Sequence, residues 1–116
     1  MNETECRHLR RKQRLLLGQL GKMTDFIRGS VVLMKRRCSR ANCRRCASGE
    51  GHPTWVLTAS SGGKTRTVYL GEGRVDEAKR MVANYRTMRV WIEEIAQINL
   101  ALLIDKPIPR KGAGNE

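Results

Sequence analysis

Three cysteines and a histidine lie close together in the segment KRRCSRANCRRCASGEGH, which runs from Lys35 to His52. Thiolate and imidazole groups hold zinc tetrahedrally in proteins, and short loops between them let a small domain present four such ligands. The spacing here is C-x4-C-x2-C-x5-H. We therefore predict a zinc ion as the cofactor, with Cys38, Cys43, Cys46 and His52 as its ligands.

A second interpretation of these cysteines stays open. The N-terminal segment lacks the apolar stretch of a secretory signal, so a disulfide framework is not expected. The spacing also differs from the common zinc templates. Thiols can serve as small apolar fillers in tight turns, and such packing is the alternative to a metal site.

Basic residues alternate with the cysteines, and no acidic residue of this segment precedes Glu50. Such cations favour the thiolate form that metals bind, and they attract a phosphate backbone. Two further basic residues lie in the hairpin that follows. The predicted nucleic-acid-binding residues are Lys35, Arg36, Arg37, Arg40, Arg44, Arg45, Lys64 and Arg66.

The composition of the whole chain agrees with an acidic partner. Its 116 residues include 23 Lys or Arg against 11 Asp or Glu, for a net charge of +12. Nucleic acid is the first expected partner and an anionic membrane surface the second. No apolar run reaches the roughly 18 residues of a membrane span. The absence of a signal segment predicts a cytoplasmic protein.

Periodicity predicts the elements that position these residues. An apolar stripe indicates a first amphipathic helix, β propensity indicates two strands joined by a Gly-Gly turn, and a heptad pattern indicates a second helix. The predicted elements are a helix from about Glu3 to Ile27, strands at Ser30–Arg37, Thr54–Ser60 and Thr65–Leu70, and a helix from about Val75 to Ile104.

The predicted fold class is α+β: an N-terminal helix, a small three-stranded antiparallel sheet with a Cys-rich loop, and a long C-terminal helix. Residues 1–105 are expected to form a single basic domain, and residues 106–116 a disordered tail. The heptad pattern places Ile92 and Asn99 on the seam of the second helix. We expect the first helix to cover this seam, so a monomer is favoured over a homodimer.

The order of these motifs resembles an uncharacterised family of small bacterial and archaeal proteins, a domain of unknown function often encoded beside insertion-sequence transposases. The resemblance covers about residues 15 to 103 and implies an association with mobile elements. The matching features are Gly29-Ser30, the cluster of Cys38, Cys43 and Cys46 with Asn42, His52-Pro53, Trp55, Gly63-Lys64-Thr65, Val75 to Ala78, and Asn84-Tyr85 through Ile95 to Asn99.

A second likeness concerns the fold. A three-stranded sheet followed by a helix, with a Gly-Lys hairpin, is similar to the arm-site DNA-binding domains of tyrosine integrases. Those domains place the sheet in the major groove, where strand side chains reach base edges. The resemblance implies that one face of the sheet would present Thr54, Thr58, Lys64, Arg66 and Arg36 to DNA. The alternative is that these residues form an ordinary solvated face.

Known catalytic constellations are missing from the sequence, so we do not expect an enzyme. The predicted function is that of a non-catalytic accessory protein that binds nucleic acid, with duplex DNA favoured over RNA. The alternative is an assembly module whose helices dimerise or bind a transposase or another protein.

Overall fold

The computed structural model describes residues 1–37, 42–49 and 51–105. In chain order the elements are α1 (Glu3–Gly21), β1 (Gly29–Arg36), α2 (Arg44–Ala47), β2 (His52–Ser61), β3 (Lys64–Tyr69) and α3 (Glu72–Asp105). The three strands form one antiparallel sheet. The predicted α+β fold class is therefore confirmed, whereas the predicted tail 106–116 lies outside the described residues.

The chain divides into two compact units. The helical unit consists of residues 1–24 and 87–116, and the sheet unit consists of residues 25–86. Helix α3 crosses the division and contributes residues to both units. The single basic domain over residues 1–105 stays a prediction.

Helix α1 begins at Glu3 because the side chain of Asn2 accepts a hydrogen bond from the backbone N–H of Glu5 at 2.8 Å. This is the usual role of an asparagine at an N-cap. The predicted end at Ile27 is wrong, since the helix ends at Gly21. Glycine lowers helix stability, and the segment beyond Gly21 makes other bonds. The backbone N–H of Ile27 donates to the carbonyl oxygen of Met81 at 3.1 Å.

Apolar side chains from α1 and α3 form the core of the helical unit. Leu16, Ile98 and Leu102 are buried, and the partly buried residues that pack against them are Cys6, Leu9, Trp91 and Ile95. The heptad prediction was wrong for Ile92, which is 50% exposed, whereas Ile98 is only 6% exposed. The 3.6-residue helical period turns the buried stripe away from the strict heptad register.

Polar contacts border this core. The side-chain amide of Gln13 donates to the amide oxygen of Asn99, and the Lys12 ammonium lies 3.7 Å from a carboxylate oxygen of Glu94. Asn99 therefore has a hydrogen-bond partner on α1 within the same chain.

The sheet has the strand order β1-β2-β3, with Val32 opposite Val56 and Val56 opposite Tyr69. A two-residue turn joins β2 to β3, because Ser61 pairs with Lys64. Both residues of the turn have positive φ, +59° at Gly62 and +78° at Gly63. This backbone suits glycine and matches the twist of a tight hairpin, so the predicted turn is confirmed.

One face of the sheet packs beside the first part of α3. Leu57 is buried and lies opposite Val68 in the register. Trp55 lies two residues before Leu57 and therefore on the same face. The ammonium of Lys79 on α3 lies 4.5 Å from the centroid of the Trp55 ring. Val75, Ala78 and Val82 of α3 are also buried in this unit.

The segment between α1 and β1 is held against α3 by three contacts. The Asn84 side chain donates to the carbonyl oxygen of Asp25 at 2.7 Å, and the Arg80 guanidinium lies 3.6 Å from the Asp25 carboxylate. The rings of Phe26 and Tyr85 stack with their centroids 6.3 Å apart. These bonds explain why the segment leaves the helical path of α1.

Helix α3 is long enough to cross a bilayer, but its charged residues interrupt its apolar ones. Within residues 1–37, 42–49 and 51–105, no helix has an apolar stretch sufficient for a transmembrane span.

Candidate metal centre and basic surface

Cys43, Cys46 and His52 converge to form what we call the Cys/His cluster. Their potential ligand atoms all lie within 4.8 Å of one another. The Sγ atom of Cys43 lies 3.0 Å from Nε2 of His52. Cys46 is buried and the other two residues are partly buried. Both cysteines are present as thiols and not as a disulfide.

Local backbone structure explains this convergence. Cys43 is the N-cap of the short helix α2, and Cys46 lies within its single turn. Residues three apart face the same side of a helical turn, so the two sulfur atoms lie close together. His52 is the first residue of β2, and its register partner is Arg36 of β1. The end of the sheet therefore presents the imidazole to the α2 turn.

Gly51 brings the chain back to the sheet just before His52. Its φ is +67°, and a Cβ at this position would lie only 3.0 Å from the carbonyl oxygen of Arg36. A residue with a side chain would be strained in its backbone and crowded against β1. Glycine thus allows the loop to close where the cluster forms.

The donor set suits a metal ion that prefers sulfur and nitrogen. In a tetrahedral zinc site with Zn–S bonds of about 2.3 Å, ligand atoms lie about 3.8 Å apart. The spread of up to 4.8 Å in the cluster is within about 1 Å of that value. The cluster could therefore hold a metal ion through three protein ligands.

The structure brings together three of the four predicted ligands. Cys38, the fourth, lies outside the described residues, as does Arg40 of the predicted nucleic-acid-binding set. Arg45 lies on α2, but its side chain is not among those described. The other predicted basic residues have exposed side chains: Lys35, Arg36, Arg37, Arg44, Lys64 and Arg66.

The residues predicted to face DNA from one side of the sheet do not share a face. Thr54 and Thr58 lie on the face of Val56, as does Arg36, whose register partner is His52. Lys64 pairs with Ser61 and Arg66 with Ala59, which places both on the opposite face, that of Leu57. Side chains alternate along a strand, so the hairpin register alone decides this division. The single DNA-facing set was therefore a wrong prediction.

One contact at this end of the sheet was not predicted from the sequence. The guanidinium carbon of Arg36 lies 4.3 Å from the centroid of the Tyr69 ring. Tyr69 ends β3 and is 53% exposed. The signal that could have revealed it is register: once Val68 is assigned to the buried face, Tyr69 must project from the other face.

The fold and the cluster together define a small, basic α+β protein with a candidate metal centre at one end of its sheet. The model of the family described as "Domain of unknown function (DUF6788)" matches residues 7–80, and the chain belongs to this family. No curated protein and no solved structure matches the chain.

Proposed function

We propose that this protein is a non-catalytic accessory protein that binds nucleic acid, with duplex DNA favoured. The observation that carries the proposal is the concentration of exposed basic side chains around the Cys/His cluster. Lys35 and Arg36 are the last two residues of β1, Arg37 follows them, and Arg44 lies between the two clustered cysteines. A surface that concentrates positive charge suits contact with several phosphates.

We further propose that the Cys/His cluster holds a zinc ion with a structural role. The segment around the cluster is rich in arginine and poor in large apolar side chains, so burial supplies little energy to order it. A bound metal would order the loop and so fix its basic residues. Cys38 is the proposed fourth ligand because it follows Arg36, the register partner of His52, by two residues in sequence.

The association with a mobile genetic element is a further part of the proposal. It is supported by the resemblance of the motif order to proteins encoded beside insertion-sequence transposases. We propose a cytoplasmic setting, where thiols stay reduced. The genes that flank the coding sequence test this part: repeated absence of a transposase gene would contradict it.

Salt-dependent binding tests the nucleic-acid proposal. We expect anisotropy of a labelled DNA duplex to reveal binding, with a loss of about 10³ to 10⁵ in affinity between about 50 and 200 mM salt if six to ten phosphates are contacted. Replacement of Arg36, Arg37, Arg40, Arg44 and Arg45 by Glu should nearly abolish this binding. Duplex RNA and single-stranded probes of the same length separate DNA from RNA as the preferred partner.

A matched control removes the same charge elsewhere. In this variant Glu replaces Arg7, Arg10, Arg11, Arg14 and Lys22 of the α1 region, all of which are exposed. We expect the loop variant to lose much more affinity than this control. Equal losses would mean that net charge alone attracts the DNA, and the loop would not be the interface.

A second candidate function, helical assembly, is favoured by exposed apolar residues on α3. Ile92 is 50% exposed, Leu100 47% and Leu103 78%. Their spacing of eight and eleven residues from Ile92 places them along one side of the helix. Light scattering over a range of concentrations tests this candidate, since a tight dimer would raise assembly above nucleic-acid binding.

A further inference from the structure

Arg36 and Tyr69 meet across the end of the sheet. Arg36 is the last residue of β1 and Tyr69 the last residue of β3. Val32, Val56 and Tyr69 are register partners on one face, and Arg36 lies four residues after Val32 on that same face. The guanidinium carbon lies 4.3 Å from the centroid of the tyrosine ring. The side chain of Arg36 therefore reaches across β2 to the opposite edge strand.

A cation–π contact made through the flat face of a guanidinium leaves its hydrogen-bonding edges available. A guanidinium stacks on an aromatic ring through its flat face, and its five N–H donors lie in its own plane. Stacking uses the face and none of the donors. Within the described residues, no carboxylate forms an ion pair with Arg36. The donors of Arg36 can therefore bind an external acceptor.

The backbone of Arg36 is fixed as well. His52 of the Cys/His cluster is its register partner, and Gly51 packs against its backbone. An arginine whose backbone is packed and whose guanidinium carbon lies over a ring at 4.3 Å loses less conformational freedom on binding a ligand than an unrestrained one. This restraint distinguishes Arg36 from an arginine that no ring holds.

We infer that Arg36, positioned by the ring of Tyr69, is a fixed bidentate contact for one phosphate group of a nucleic-acid backbone. The inference rests on the proposed function and adds a residue, Tyr69, that charge alone would not select. Two phosphate oxygens match the fork of a guanidinium. Arg37, the residue that follows Arg36, is also exposed, and neighbouring cations favour a polyanion over an isolated carboxylate.

The test compares four variants in binding to a mixed-sequence DNA duplex. Arg36→Lys keeps the charge but loses the fork, and Tyr69→Leu keeps Arg36 but removes the ring. We expect each to lower affinity about tenfold, the usual scale for losing a charge-assisted hydrogen bond. Tyr69→Phe keeps the ring and should bind like wild type. Arg66→Lys is the matched control, since Arg66 is exposed on the other face of the sheet.

Energetic coupling between Arg36 and Tyr69 shows whether Tyr69 positions Arg36 or contacts the nucleic acid itself. If Tyr69 acts through Arg36, the double variant Arg36→Lys/Tyr69→Leu should bind like either single variant. The salt dependence of Arg36→Lys should match wild type, because the charge is retained. Circular dichroism and metal content should be unchanged in every variant. Additive losses would overturn the inference, because Tyr69 would then contact the ligand independently.

Other outcomes also decide the matter. Suppose that wild type binds with steep salt dependence, but Arg36→Lys and Tyr69→Leu lose no more than twofold more affinity than Arg66→Lys does. That result would overturn this inference and leave the proposed function standing. A loss on a G·C-containing duplex that is absent on an A·T-only duplex would assign Arg36 to a guanine edge and not to phosphate. If wild type binds neither duplex, the proposed function fails and the inference fails with it.

Discussion

The helical unit and the sheet unit are stabilised in different ways. In the helical unit, Leu16, Ile98 and Leu102 form a core that apolar periodicity alone could produce. In the sheet unit, Val56 and Leu57 are buried, but the loop between β1 and β2 is mainly basic. Its described residues are ordered around Cys43, Cys46 and His52. The difference teaches that apolar burial can account for the helical unit, whereas in the basic loop the Cys/His cluster is the candidate source of order.

Metal removal should produce the largest difference in stability between the two units. A structural zinc ion contributes about 10–16 kcal/mol of apparent binding energy in small peptides, and that energy stabilises the fold. We expect purified protein to contain about one zinc per chain. Cys43→Ser should lose the zinc and lower the melting temperature of the sheet unit by more than about 10 °C. Cys6→Ser, outside the cluster, is the control and should keep the metal.

The two tryptophans allow each unit to be followed separately. Trp55 lies in the sheet unit and Trp91 in the helical unit. In the Trp91→Phe protein only Trp55 remains, and its fluorescence should show the lower melting temperature that follows metal loss. In the Trp55→Phe protein only Trp91 remains, and its melting temperature should change little. Protein with reduced thiols and no zinc would contradict the metal proposal. Equal changes of melting temperature at both tryptophans would contradict the proposed difference between the two units.

The next largest effect should come from the core of the helical unit. Leu102 is 4% exposed, so Leu102→Ala should destabilise this unit by about 2–5 kcal/mol through lost burial and a cavity. Its neighbour Leu103 is 78% exposed, and Leu103→Ala should change stability by less than about 0.5 kcal/mol. Denaturant unfolding followed at Trp91 measures both. Equal losses of stability in the two variants would contradict the burial of Leu102 and the exposure of Leu103.

A smaller effect should follow from Gly51→Ala in the sheet unit. The positive φ costs an alanine about 1–2 kcal/mol, and its Cβ would lie 3.0 Å from the Arg36 carbonyl oxygen. Gly49 also has positive φ, but its Cβ would meet no atom within 4 Å. Gly49→Ala therefore measures backbone strain alone. Unfolding followed at Trp55 should show a larger loss of stability for Gly51→Ala than for Gly49→Ala. A larger loss for Gly49→Ala would contradict the close approach of Gly51 to Arg36.

The smallest effect should come from Asn99→Leu. The change removes the hydrogen bond with Gln13, which contributes about 1 kcal/mol or less at such a site. Because Asn99 pairs within its own chain, the mass measured by light scattering should stay the same. A change of mass in this variant would support the assembly function, because the helical unit would then not be self-contained.

Sequence patterns predicted the elements well where one face is buried. β propensity identified the two strands that place Leu57 opposite Val68, and the Gly62-Gly63 pair identified the hairpin. The helix ends were less predictable. Apolar residues such as Ile27 continue the helical spacing of α1, yet a backbone bond to Met81 directs that segment elsewhere. Such tertiary bonds override local propensity and leave no local signal.

The candidate site was predicted in its residue types and only partly in its arrangement. The spacing of Cys43, Cys46 and His52 was sufficient to predict their convergence. The faces of Lys64 and Arg66 were not, because a shift of one residue in register moves every side chain to the other face. The contact of Arg36 with Tyr69 spans three strands and depends on both registers, so no local pattern encodes it.

The shared helix α3 also sets the order in which the chain can assemble. Residues 25–86 are continuous, whereas the helical unit joins segments on either side of them. Closing so long a loop carries an entropic cost and delays contact formation. During synthesis, Ile98 and Leu102 can bury Leu16 only after they have been made, so Leu16 stays exposed to water until then. We expect the positive charge of α1 to make nascent chains repel one another in that interval and so to oppose aggregation through the apolar stripe.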